Sequence, residues 1–519
     1  MDVQSGAAAG TTGAAADTDV RDDAGPPDTG ARVPWLPYAL VAVALCGLYF
    51  LYSWVQYERF RTPSWDLGIF EQSVRAYAEL RAPVVDIKGP GFLILGDHFS
   101  PVTALLAPLY WIWSSPLALL FAQAALFAAS AAVVGRTAHQ VLGSCAAGLG
   151  IAVAYGLSWG LQEAVKSDFH EIAFAVPLLA LTCRALLLSR WTAAAAWAAP
   201  LVLVKEDMGL TVAMVGAVLF LRGRRRLGAA LAGFGVGAFA LTVLVLIPAA
   251  SRVGQYDYWA KIEKSSAGTD VSLADALLGS LGSDVKWEMV LFLVGITGFL
   301  ALRSPLMLLV LPTLGWRFVS QDPNHWGMLW HYSAILMPVV FLALVDGVRA
   351  VRTSPRPWLV SYGKVVVPVV TAVAIVLALD LPLRGLLSAE TYRTDVRTQD
   401  ARRAVEAVPD GSSVETNVTL MAHLTADHTV YWVGGAKGVS PEYLALDLAS
   451  GWSQPVTDPV LLASQLHPEA RYEVAARAGQ FVVLRRAWQV ETGPREVVPQ
   501  RGQQRAVLAV DGADAAEEE

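Results

Sequence analysis

The sequence predicts an α-helical polytopic membrane protein with polar ends and a small C-terminal α/β domain. Of its 519 residues, 55% are hydrophobic and only 16% are charged, whereas soluble domains carry about 25% charged residues. The charges are uneven, since residues 1–33 and 383–519 hold 40 of the 84 charged residues. The segment between them, 34–382, consists of apolar runs near the ~20 residues that a bilayer-spanning helix needs. These observations exclude a single soluble globule and a fully disordered chain.

The two ends are predicted to be disordered tails. Residues 1–33 are rich in Ala, Gly, Thr and Asp and are interpreted as a cytoplasmic tail without a cleavable signal peptide. Residues 491–519 form an acidic tail that ends in three glutamates. The net charge is −6 and no basic stripe alternates with aromatic residues, so no nucleic acid partner is expected. The three cysteines lie in or beside apolar runs without metal-type spacing, which is typical of small core residues.

Eleven segments of 34–382 are candidate membrane spans. They are 35–53, 116–136, 146–162, 171–189, 191–204, 208–221, 227–248, 287–302, 305–320, 331–348 and 364–382. The run 99–113 is broken by Pro101 and Pro108 and is interpreted as a re-entrant or interfacial piece. The spans at 191–204 and 208–221 are shorter than the bilayer core, which is typical of a buried pair or of local thinning.

The basic residues predict the orientation. With a cytoplasmic N-terminus, the connections on the cytoplasmic side contain no acidic residue, in line with the positive-inside rule. These connections are 137–145, 190, 222–226, 303–304 and 349–363. The extracytoplasmic side then receives a long first loop at 54–115 and, because the number of spans is odd, the C-terminal domain. A multi-pass protein of the cell membrane is therefore expected.

Residues 390–490 are predicted to form this small extracytoplasmic domain. Residues 393–408 have the apolar spacing of an amphipathic helix. Strand-like runs follow, separated by Gly, Pro and Asp turns. They are 413–415, 429–433, 443–446 and 481–484. The domain is too short and too generic in sequence to indicate a catalytic motif.

Ionisable residues cluster in the predicted extracytoplasmic loops. In the first loop, Asp66 stands where the N-cap of an amphipathic, membrane-parallel helix is expected, and it is either that cap or a functional carboxylate. Asp97 and His98 either begin a helix, or they bind a metal ion or accept a proton. The second cluster is either a solvated loop or a binding site. It contains Glu163, Lys166, Asp168 and His170.

Two further clusters lie at membrane depth or beside aromatic residues. The third cluster is Lys205, Glu206 and Asp207. It joins the two short spans, where charged residues are usually paired or functional, so it forms either an internal salt bridge or a phosphate site. The fourth cluster contains His325, His331 and Tyr332. An aromatic belt with a satisfied interfacial histidine is the alternative interpretation there.

The motifs resemble a family of predicted polytopic membrane proteins, known as domain of unknown function 2079. In the first loop the resemblance rests on the motifs at 65–72, 96–101 and 106–110. Similar motifs follow in the family's order at 167–171, 205–207, 331–334 and 422–425. An ordered series over roughly 50–450 is far more specific than any one motif.

That family is similar in layout to the GT-C superfamily of membrane glycosyltransferases. The resemblance implies an inverting transfer from a polyprenyl-phosphate sugar in the membrane to a cell-envelope acceptor. It implies Asp66 as the general base, with Lys205 and Lys166 as candidate phosphate partners. The tandem acidic residues of some superfamily members are absent because Trp65 precedes Asp66, so a divalent metal stays open. No nucleotide is required, and the sequence has no Walker A or Rossmann glycine loop.

Two other functional classes stay open on the sequence alone. A transporter or flippase of a lipid-linked or small polar solute also uses intramembrane charge and broken helices, although here the clusters are predicted on one face. A non-catalytic scaffold would leave the charges at 205–207 unexplained. Convergence of the four clusters on one extracytoplasmic cavity is the observation that favours the transferase.

Overall fold

The computed structural model describes residues 33–256, 258 and 271–487. The predicted tails at 1–33 and 491–519 lie outside these residues, apart from Val33. The first half of the described chain contains helices α1 (Leu36–Glu58), α2 (Trp65–Ala78), α3 (Ala107–Ile112), α4 (Pro116–Leu142), α5 (Cys145–Gly156), α6 (Trp159–Lys166), α7 (Ala175–Leu187), α8 (Trp191–Ala198), α9 (Met208–Leu221), α10 (Arg225–Leu241) and α11 (Ile247–Ala250).

The second half contains the remaining membrane helices and a small sheet. Its helices are α12 (Leu273–Leu281), α13 (Asp284–Gly295), α14 (Leu311–Val319), α15 (Leu336–Arg352), α16 (Pro357–Leu377), α17 (Val396–Glu406), α18 (Val418–Leu424) and α19 (Pro459–Leu466). Its strands are β1 (Ser413–Thr416), β2 (Thr429–Trp432), β3 (Tyr443–Asp447), β4 (Tyr472–Ala478) and β5 (Phe481–Arg486). Short 3₁₀ turns join many of these elements.

Six helices of the described residues are long and apolar enough to cross a membrane. They are Leu36–Glu58, Pro116–Leu142, Cys145–Lys166, Arg225–Ala250, His331–Arg352 and Pro357–Leu377. Four shorter apolar helices accompany them, at Pro101–Ile112, Trp191–Leu203, Met208–Leu221 and Pro305–Val319. The predicted total of eleven spans is thus not confirmed. Several predicted spans are interrupted, for example at 287–302, where Gly298 and Phe299 adopt a positive φ and end the helix.

Helices α9 and α10 pack closely through two pairs of glycines. A Cβ atom added to Gly216 would lie 2.6 Å from the carbonyl oxygen of Gly228, and one added to Gly209 would lie 2.6 Å from that of Gly235. Helix backbones approach this closely only where the side chains are absent or very small, which is typical of membrane helix pairs.

The C-terminal segment contains a five-stranded mixed sheet with the order β2-β1-β3-β5-β4. Strand β1 pairs in parallel with β2 and β3, whereas β5 runs antiparallel to β3 and β4. The predicted sheet is therefore present, with one strand more than the sequence predicts. Strand β4 escapes prediction because most of its residues are exposed and they do not alternate.

The first loop and the C-terminal segment share one hydrophobic core. Ile69, Ile87 and Ile94 of the loop pack in the same buried cluster as Val430 and Trp432 of the sheet. On the other face of α2, residues such as Leu67 and Phe70 belong to the core of the membrane helices. Helix α2 is thus packed on both faces, against the membrane helices on one side and the C-terminal segment on the other.

The arginines of the predicted cytoplasmic connections lie at one end of the helices. Arg352 donates a hydrogen bond to the carbonyl oxygen of Leu142, the last residue of α4, at 2.7 Å, and Arg349 reaches that of Leu187 at 3.4 Å. Cations satisfy the last carbonyl groups of a helix and interact favourably with its dipole.

Candidate functional site

One cavity of about 550 Å³ collects most of the predicted site residues. Its walls come from the first loop, the connections before α7 and α9, the segment 316–332 and the end of strand β2. Ten of the thirteen predicted residues line it: Asp66, Asp97, His98, His170, Lys205, Glu206, Asp207, His325, His331 and Tyr332.

Asp66 presents a carboxylate to this cavity from the first turn of α2. The N-cap of the helix is Ser64, which has a φ of 64° and makes no side-chain cap bond. The capping interpretation of Asp66 is thus wrong, because the helix begins one residue before it. Its Oδ2 atom lies 3.0 Å from Nε2 of His170. Burial alone raises the pKa of Asp66, but the charges of His170 and His98 outweigh burial and hold the pKa below its ordinary value.

Gln123 and Asp168 hold the backbone that carries His170. The Gln123 side chain donates to the carbonyl oxygen of Asp168 at 2.7 Å and accepts from the His170 N–H at 3.1 Å. Asp168 does not line the cavity. Its Oδ2 atom accepts a hydrogen bond from the Ser64 N–H at 2.7 Å, and burial raises its pKa to about 7. Asp168 therefore connects the loop before α7 to the start of α2.

A second carboxylate–imidazole pair faces the same cavity. Nδ1 of His98 lies 2.9 Å from Oε1 of Glu206, and the Tyr258 hydroxyl lies 2.6 Å from Nε2 of His98. Burial lowers the pKa of His98, but the charge of Glu206 outweighs burial and raises it. Asp97 pairs with Lys88 and follows a 3₁₀ turn, so its predicted alternative as a helix start is wrong.

Lys205 is held in the cavity wall by Glu171. Its ammonium lies 2.8 Å from Oε1 of Glu171, whose side chain is 2% exposed. An ammonium has three donor hydrogens, so this bond leaves donors for a ligand. Burial raises the pKa of the neighbouring Asp207 to about 6. Among the described residues, its Oδ1 atom is buried without a hydrogen-bond partner.

Arg317 fixes the segment that presents the fourth cluster. Its fully buried guanidinium donates to the carbonyl oxygens of His325 and Gly327 at 2.7 and 2.6 Å and to the Ser333 hydroxyl at 3.0 Å. The ring of His331 stacks on that of His170, with centroids 3.5 Å apart. The fourth cluster therefore contacts the Asp66–His170 pair.

Two predicted residues pair with each other away from the cavity lining. The ammonium of Lys166 lies 3.5 Å from a carboxylate oxygen of Glu163 within α6. Half of the Lys166 side chain is exposed. The binding roles of Glu163, Lys166 and Asp168 stay predictions.

Sequence reasoning missed several residues of the lining. They include Trp65, Lys88, Glu171, Tyr256, Tyr258, Trp316 and Trp432. Trp65 and Glu171 are next to predicted site residues in the sequence, and this position could have identified them. Trp432 gave none, since it belongs to a strand more than 300 residues from the first loop. Within the described ranges, no three His, Cys, Asp or Glu side chains are grouped so as to hold a metal ion.

Comparison with known proteins gives the family. The profile of a family described as "Predicted membrane protein (DUF2079)" matches residues 56–483. The chain belongs to this family. It is accordingly a multi-pass membrane protein, in agreement with its apolar helices. The search of curated proteins found no match. Among solved structures it is similar to ArnT from Cupriavidus metallidurans in the apo state, at 14% identity and a TM-score of 0.49, with 86% of this chain and 98% of that chain covered.

Proposed function

We propose that this family member is a membrane glycosyltransferase that moves a sugar from a polyprenyl-phosphate donor to an extracytoplasmic acceptor in the cell envelope. One observation carries the proposal. Asp66, His170 and Lys205, which are far apart in the sequence, meet in one cavity beside the ends of the membrane helices. A lipid-linked sugar needs such a place, because its tail stays in the bilayer while its phosphate and sugar lie at the boundary.

The residues divide the chemistry among them. Asp66 accepts the proton of the acceptor hydroxyl as the acceptor oxygen forms a bond to the anomeric carbon. The bond from that carbon to the phosphate oxygen breaks, its electron pair stays on the phosphate, and polyprenyl phosphate leaves. Lys205 donates hydrogen bonds to this phosphate. Attack from the face opposite the leaving group inverts the anomeric centre.

His170 keeps Asp66 ready for this step. A hydrogen bond from Nε2–H at 3.0 Å favours the ionised carboxylate, which is the form that accepts a proton. The ring of His331 stacks on the imidazole of His170 and limits its movement.

The test is transfer by the purified protein from a panel of polyprenyl-phosphate sugars, compared with Asp66→Asn. Loss of the base is expected to lower turnover by about 10²–10⁴ with the fold intact. Asp86→Asn is the matched control, since Asp86 lies in the same loop outside the cavity and its bond to the Gly91 N–H needs only an acceptor oxygen. Equal transfer by wild type and Asp66→Asn contradicts the base role. If no donor is used by wild type, the transporter or flippase alternative is favoured.

A further inference from the structure

The cavity has two chemically different ends. One part of the lining, the first end, comes from Leu210 and Phe239 of the membrane helices α9 and α10, which follow Lys205 in the chain. At the other end, Trp65, Ile87 and Trp432 line it. These three pack in or against the core that the first loop shares with the C-terminal sheet. A ligand with a lipid tail therefore fits the first end, and a water-soluble ligand fits the second.

We propose that the second end is the acceptor subsite and that it binds a neutral carbohydrate ring against Trp65 and Trp432. The assignment of this end to the acceptor rests on the proposed function. The preference for a neutral carbohydrate rests on the lining itself.

The aromatic wall fits the apolar face of a sugar. The Trp65 and Trp432 rings meet edge to face, with centroids 5.0 Å apart and planes at 85°. The C–H bonds of a sugar ring form an apolar face that packs on indole, while its hydroxyl groups point outward and need polar partners. Asp66, Asp97 and Lys88 supply such partners in the same cavity.

Carboxylates outnumber lysines in the cavity lining, which favours a neutral acceptor over an anionic one. Five carboxylate side chains line it, from Asp66, Asp97, Glu171, Glu206 and Asp207. The two lysines of the lining, Lys88 and Lys205, are each bonded to one of these carboxylates. An acidic acceptor at the tryptophan end would add a further negative charge to a lining that already contains these five carboxylates, whereas a neutral polyol adds none.

The structure fixes this end firmly. Gln72 of α2 donates to the carbonyl oxygen of Val430 at 3.0 Å, two residues before Trp432. On the other side of Trp432, the fully buried carboxylate of Glu415 accepts a hydrogen bond from the Gly434 N–H. Gly435, the next residue, lines the cavity. The subsite is thus held before any ligand arrives, which lowers the entropic cost of binding.

The experiment measures binding of labelled tetrasaccharides to the full-length protein in lipid nanodiscs without donor. The probes are neutral glucan, mannan, galactan and arabinan fragments, and uronic-acid tetrasaccharides of the same length. We expect at least one neutral probe to bind, with the uronates about tenfold weaker or more. Trp65→Ala is expected to weaken the neutral probe by about tenfold, while Trp65→Phe keeps binding within about threefold because it keeps an aromatic face. Trp358→Ala is the control, since Trp358 is exposed and outside the cavity.

Three results overturn the inference: no neutral probe binds, the uronates bind more tightly, or Trp65→Ala binds like wild type. Failure of the proposed function is distinguishable. If transfer from polyprenyl-phosphate sugars occurs but neutral probes do not bind, the acceptor subsite is wrong and the transferase stands. If neutral probes bind through Trp65 but wild type transfers from no donor, the carbohydrate site stands and the transferase is wrong.

Discussion

Backbone strain marks the residues next to the site. Ser64, Asp168 and Trp330 have φ values of 64°, 66° and 65°, in the left-handed region that side chains other than glycine rarely adopt. They precede Asp66, His170 and His331 by one or two residues. Each such position costs on the order of 1–3 kcal/mol and persists only where the surroundings impose it. Here the bond from the Ser64 N–H to the Asp168 carboxylate joins two of them.

Asp168 makes the stability of this junction depend on pH. Burial raises the pKa of Asp168 to about 7 in the folded state, whereas an unfolded Asp has a pKa of about 3.9. Between these two pH values the folded state binds one more proton than the unfolded state. Stability from this group is complete below pH 4 and is lost as the pH rises through 7. Asp168→Asn keeps an acceptor for the Ser64 N–H and carries no charge. We expect the variant to be more stable than wild type at pH 8 and similar at pH 4, by thermal unfolding in detergent. A stability difference that grows on acidification contradicts this account.

Variants of Lys205 and Lys166 show which of these two lysines binds the donor phosphate. Lys205→Ala removes an ammonium from the cavity wall and is expected to raise the apparent KM for the donor by about tenfold or more. Lys166→Ala is the matched control, because this ammonium lies outside the cavity and pairs with Glu163. We expect it to leave the donor KM within about twofold. The kinetic measurement uses variants with wild-type elution profiles, since Glu171 loses its partner in Lys205→Ala. The reverse order of the two KM values would falsify the assignment to Lys205.

At the scale of elements, the periodicity of apolar residues predicts the helices and strands that local sequence determines. Four of the five strands and the helix at Val396–Glu406 lie where apolar alternation and helical spacing place them. The structure places the N-cap of α2 at Ser64, two residues before the predicted Asp66, and the Ser64 N–H bonds to the Asp168 carboxylate instead of a side-chain cap. The predicted number of spans is not confirmed, because hydropathy measures apolar length and does not detect a break such as that at Phe299.

The glycine contacts between α9 and α10 give a prediction at this scale. Gly216→Leu places a side chain where a Cβ alone would lie 2.5 Å from the backbone nitrogen of Ala232. The two helices must separate, and α9 follows directly after Lys205, Glu206 and Asp207. We expect lower thermal stability and weaker donor use. Gly233→Leu lies in α10 with nothing within 4 Å of the added Cβ, so it is the control. Equal unfolding temperatures for the two variants would contradict the close approach.

At the scale of the whole molecule, the site is composite. The ionisable residues of the site can be recognised in the sequence. A charged residue at membrane depth costs free energy, so such residues are rare and usually functional. The aromatic wall cannot be recognised in this way, since tryptophans are also expected at membrane interfaces. That Trp432 of the sheet meets Trp65 of the first loop depends on how the chain closes on itself, which no local pattern encodes.

The two ends of α4 indicate the side of the membrane on which this cavity opens. Gln123 holds the site loop near the start of α4, and Arg352 bonds to Leu142 at its other end. The 19 helical steps from Gln123 to Leu142 span about 28 Å, close to the thickness of the hydrocarbon core. The basic end is expected in the cytoplasm, so we expect the cavity to open on the extracytoplasmic side. Cys145 is exposed at the basic end. In intact cells an impermeant maleimide should leave Cys145 unlabelled until permeabilisation, whereas Leu387→Cys, exposed after α16, should label at once. The opposite labelling pattern would invert the topology and remove the extracytoplasmic acceptor from the proposed reaction.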